Sequence, residues 1–102
     1  MTPWTDQHGR KVYMPPAMWA AIQREGAHRG IVRCRLLIAT APIDQVESLI
    51  AQGAGWVEEH GEPPVALVRD ELRRSAAVYR GRQPAMVEAC RDAWRALPED
   101  AA

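Results

Sequence analysis

The densest apolar run in the chain is 31–40, Ile-Val-Arg-Cys-Arg-Leu-Leu-Ile-Ala-Thr. At period two, Val32, Cys34, Leu36 and Ile38 share one face while Arg33, Arg35, Leu37 and Ala39 share the other, as in a half-buried strand. At 3.6 residues per turn the same apolar side chains scatter around the whole circumference. The alternation therefore predicts a strand over 31–40. Near the start, Asp6-Gln7-His8-Gly9 has a turn's composition, and Val12 and Met14 alternate with Lys11 and Tyr13, which predicts a loose hairpin whose second arm is 12–14.

The remaining segments follow a helical period. Pro15-Pro16 opens a short helix over 16–25, with Met18, Trp19, Ala21 and Ile22 available for burial and Gly26 as its stop. After Pro42, the positions Ile43, Val46, Leu49, Ile50 and Val57 mark one face of a helix over 42–60. Gly53-Ala54-Gly55 costs that helix about 1 kcal/mol per glycine relative to alanine, so the triplet implies a kink or the close approach of another backbone. Val65, Val68, Leu72, Ala76 and Tyr79 stripe a third helix over 64–80 that Gly81 ends. Val87, Cys90, Trp94 and Leu97, stepping by three, four and three, stripe a fourth over 84–97. A tail over 98–102 is expected to fray.

The class these elements define is α+β: one helix-rich domain of about four helices with a two- or three-stranded sheet. In that sheet, strand 31–40 pairs with 12–14 or with a second subunit. A pair of strands alone is marginal, and Val32, Cys34, Leu36 and Ile38 need cover, so a homodimer is expected.

Composition narrows the class of function. The 102 residues suit a single domain, and 47% apolar with 25% charged residues is an ordinary globular balance. No apolar run approaches a membrane span, and the start lacks the basic and apolar regions of a signal peptide, so a cytoplasmic location is expected. Twelve of the 13 basic residues are arginine, a bias that GC-rich bacterial coding produces. Cys34 and Cys90 form no Cys-x-x-Cys pair and read as small buried hydrophobes. The net charge of zero hides three blocks: 1–43 and 72–95 are basic, and 44–71 is acidic. Such an order leads to neutralisation between neighbouring elements or to an acidic face turned toward a partner.

Catalytic signatures are missing. Ser48 and Ser75 lie in no nucleophile elbow, the Glu25-x-x-His28 spacing has no second copy, and there is no glycine-rich phosphate loop. No enzymatic activity, metal or cofactor is expected.

Two readings remain. Arg33, Arg35 and Leu37 on the outer face of a strand that precedes two amphipathic helices resemble the ribbon-helix-helix family, over about 31–80, with Val68-Arg69-Asp70-Glu71-Leu72-Arg73 similar to its second helix. The resemblance implies a DNA-binding transcription regulator in which the paired strands enter the major groove. Here, however, the first helix is long and acidic, and a phosphate backbone repels it. The other reading is a regulator that docks on a partner protein and blocks its dimerisation or target site. Four tryptophans and four methionines offer anchors for an interface. The expected contact residues are Met86, Val87, Cys90 and Trp94 on the last helix. Neutral net charge and the acidic central helix rank docking first, with DNA as the alternative.

Overall fold

A computed structural model describes residues 2–5 and 11–98. Strands β1 (Thr2–Thr5) and β2 (Lys11–Met14) pair antiparallel with each other, Trp4 opposite Val12. Four helices follow: α1 (Pro16–Ile38), α2 (Ile43–His60), α3 (Val65–Tyr79) and α4 (Pro84–Ala96). The body is an all-helical small domain rather than an α+β domain built on a central strand. The expected turn at 6–9 and the tail from 99 onward lie outside the described residues.

The strand expected over 31–40 is the last third of α1, which runs unbroken through Gly26 and Gly30. The physical reason lies in how α1 is packed. It is a spine with partners on opposite sides. One stripe, Gly30, Cys34 and Ile38, faces α2. Another, Val32 and Leu36, enters the core with Leu72, Met86 and Cys90 from α3 and α4. Each stripe repeats every four residues, and the two are offset by two residues, about 200° around a helix. Their sum is a strict alternation from Val32 to Leu37: even positions are buried and Arg33, Arg35 and Leu37 are exposed. A helix covered on two opposite sides thus imitates the period of a strand.

The cover that the homodimer expectation sought for Val32, Cys34, Leu36 and Ile38 is supplied inside the chain by α2, α3 and α4. The ribbon that was to present Arg33, Arg35 and Leu37 to DNA does not exist, because 31–38 is helical.

The other three helices begin and end where their proline and glycine punctuation places them. Pro42 and Pro64 cap α2 and α3, and Pro84 occupies the first turn of α4. Gly61 and Gly81, with φ of 79° and 77°, are the only left-handed residues among those described, and they turn the chain out of α2 and past α3.

The core is small and one-sided. Leu72 and Met86 are almost fully buried among Val32, Leu36 and Cys90, with Val68, Ala76, Tyr79 and Leu97 packed around them. By contrast α2 contains no fully buried residue and touches the rest through α1. It lies close because small residues allow it. The edge of the Trp56 ring rests on Gly30, and Gly53 faces Cβ of Cys34. Within the Gly53-Ala54-Gly55 triplet it is Gly53 that faces α1, whereas a Cβ at Gly55 would meet open space, and α2 continues through the triplet as one helix.

Both cysteines are free and buried, and burial pushes both thiols above their ordinary pKa. In the native protein at pH 8, neither thiol is expected to react readily with a water-soluble aromatic disulfide, whereas both react once denaturant is added. Rapid reaction of one thiol in the native state would show that α2 or α4 swings away from α1.

Candidate functional site

The stripe expected to meet a partner is divided by the fold. Met86 and Cys90 are 1% and 2% exposed and belong to the core. Val87 is half-buried, and Trp94 is 41% exposed. Of the four expected contact residues, the fold leaves Trp94 exposed and Val87, two turns away along α4, partly accessible.

Trp94 lies in a groove of about 290 Å³ between α3 and α4, with Leu72, Ala76 and Cys90 as its apolar lining and Arg73, Arg91 and Arg95 as its charged lining. The antiparallel course of the two helices creates it. The Arg73 guanidinium sits over the Trp94 ring, 5.8 Å from the centroid. Arg91 pairs with Glu88 at 2.8 Å and Arg95 with Asp92 at 3.4 Å, each along α4. Arg73 has no ion pair among the described residues. Sequence reasoning found Trp94 but not its cationic frame. Arg91 and Arg95 are visible as its neighbours on a helix, whereas Arg73 joins them only through the pairing of α3 with α4.

Arg33, Arg35 and Leu37 do not form one surface. Steps of two residues on a helix place Arg35 on the opposite side from Arg33 and Leu37. Each arginine is also engaged: Arg33 Nε donates to Glu71 at 3.4 Å, and Arg35 Nη2 donates to both oxygens of Glu62 at 2.9 and 3.0 Å.

The acidic block is divided as well. Glu62, Asp70 and Glu71 turn toward the arginines of α1, while Asp44, Glu47, Glu58 and Glu59 on α2 face solvent. The principal tie between α1 and α3 is Arg29, which binds Glu25 on its own helix at 3.0 Å and Asp70 at 2.9 Å. The hydrogen bond from Arg29, aided by the charge of Arg74, holds the Asp70 carboxyl below the ordinary carboxylate range.

The Glu25-x-x-His28 pair is likewise structural. Glu25 holds Arg29, and Nε2 of buried His28 donates to the His60 carbonyl at 3.1 Å, satisfying an acceptor that the end of α2 leaves open. Among the described residues, no three or more histidine, cysteine or acidic side chains gather where they would hold a metal ion. No helix among them is long and apolar enough to cross a membrane.

Comparison of the chain with protein-family models, with curated proteins and with solved structures finds no match.

Proposed function

We propose that the protein is a non-catalytic cytoplasmic regulator that acts by docking on a partner protein through the Trp94 surface. The observation that carries this reading is an exposed tryptophan in an apolar groove framed by three arginines. Tryptophan and arginine are the residues most enriched where binding energy concentrates. The groove suits a segment that offers an apolar side chain to the ring and a carboxylate to Arg73. Docking there would hide the bound segment of the partner and so block its other contacts. Two free, buried thiols fit a reducing compartment.

The test compares Trp94→Ala with the wild-type protein as bait in lysate of the source cells, followed by affinity measurement on the purified partner. Truncation of Trp94 is expected to weaken the complex by about 2 kcal/mol or more. Thermal unfolding should remain cooperative, because the ring lies outside the central core cluster. Loss of cooperative folding would place Trp94 in the core and remove the site. Recovery of nucleic acid that moderate salt releases, with no partner protein, would overturn docking in favour of phosphate-backbone binding.

A further inference from the structure

The first three turns of α1 leave the helical body. The body ends near His28, where the last carbonyl of α2 meets His28 Nε2, and near Arg29, where α3 is tied by Asp70. Beyond that level 16–26 projects as an arm, and every residue of it is exposed except half-buried Trp19. Met18 and Ile22, one turn apart, are 54% and 48% exposed. From Pro15 to Gln23, Pro-Pro-Ala-Met-Trp-Ala-Ala-Ile-Gln, the arm carries no charged side chain. A helix apolar on all sides is a helix made for burial.

The surface area gives the same result for the whole chain. It exposes 7448 Å², whereas a compact monomer of 11.4 kDa exposes about 5,800 Å². Its radius of gyration is 16.1 Å, against about 13 Å for a compact chain of this length. The excess, about 1,600 Å², is the order of area that each subunit hides in an obligate dimer.

We propose that a second copy of this chain covers the arm, with the first turns of the two α1 helices packed against each other around a two-fold axis. In a two-fold contact the same patch stands on both sides, residue i meeting j and j meeting i, so a patch of one charge sign faces that sign again, whereas a charge-free patch faces no repulsion. The charge-free run 15–23 meets that condition, while Ala17 and Ala21, beside Met18 and Ile22 on one face of the helix, let the helix axes come close and Met18 and Ile22 interlock. Acidic α2 does not meet it: the exposed carboxylates Asp44, Glu47, Glu58 and Glu59 would set one acidic face against another. The proposal is independent of the Trp94 surface, which lies on the α3 and α4 side of the molecule.

The test is sedimentation equilibrium on the full chain at micromolar concentration, with the double variant Met18→Glu/Ile22→Glu and the control Ile43→Glu, a change at a 90% exposed position on α2. The wild-type protein and the control are expected at twice 11.4 kDa. The double variant is expected as a monomer with unchanged helical circular dichroism, its association weakened by roughly a hundredfold through charges buried without partners. Should the double variant lose its helicity, Ala21→Glu, which keeps a good helix former at an exposed site, takes its place. A wild-type monomer overturns the proposal, as does a folded arm variant that stays dimeric. Dissociation by Ile43→Glu, or a monomer that binds neutral phospholipid vesicles through the arm, overturns it too.

Discussion

Replacing Leu72 by alanine is expected to lower the free energy of unfolding by about 2–5 kcal/mol, a large share of the roughly 5–15 kcal/mol typical of a domain. Leu72 is 2% exposed and is the residue of α3 that enters the central cluster with Val32, Leu36, Met86 and Cys90. The cost has two sources: the lost transfer of the side chain from water and the cavity that remains. That cavity cannot collapse easily. Arg29 and Arg33 hold α3 against α1 through Asp70 and Glu71, and Arg69 Nη2 reaches the Pro98 carbonyl at the far end of α4 at 2.8 Å. Equilibrium denaturation in urea measures the loss. A change below about 0.5 kcal/mol, the range of ordinary surface substitutions, would mean that the core lies elsewhere.

The same cluster shows what the sequence makes legible. Three helices are readable because each packs along a single face, partly buried in α2, and is bounded by proline or glycine. For α3 and α4 the apolar steps of three and four point to the residues that pack, with Leu72 and Cys90 among them. The sequence of α1 misleads because it has two buried faces. Pattern reading assumes one buried side per element, and a spine between α2 and the α3 and α4 pair breaks that assumption. Glycine compounds the error. Gly26 looks like a stop, yet it merely costs the helix about 1 kcal/mol, and Gly30, four residues on, is a contact with Trp56.

Charge was legible by block and not by pair. The basic and acidic segments do neutralise each other where α3 meets α1, through Arg29 with Asp70 and Arg33 with Glu71. Among the described residues the acidic side chains of α2 reach no arginine of another helix, and α2 packs along the side of α1 that carries Gly30 and Cys34. The Trp94 groove was half legible for a related reason. One helix supplies the ring and two arginines, and the neighbouring helix supplies the third arginine through tertiary pairing alone.

Substituting Gly30 by alanine separates backbone preference from packing, and packing is expected to win. Alanine favours a helix over glycine by about 1 kcal/mol. In place, however, its Cβ would stand 2.5 Å from Cζ3 and 2.8 Å from Cη2 of Trp56, far inside contact distance. The indole is rigid, so relief requires the ring to leave its rotamer or α2 to lift from α1. Overpacking of this kind costs about 1–3 kcal/mol, which leaves a net loss of up to about 2 kcal/mol. Because α2 has no fully buried residue to hold it, the strain is expected to appear as earlier loss of the α2 signal in hydrogen exchange. A double-mutant cycle decides the cause. In a Trp56→Leu background the collision is removed, and Gly30→Ala should turn neutral or stabilising as the helix preference of alanine takes over. Stabilisation by Gly30→Ala with Trp56 still present would show that the two helices do not meet there.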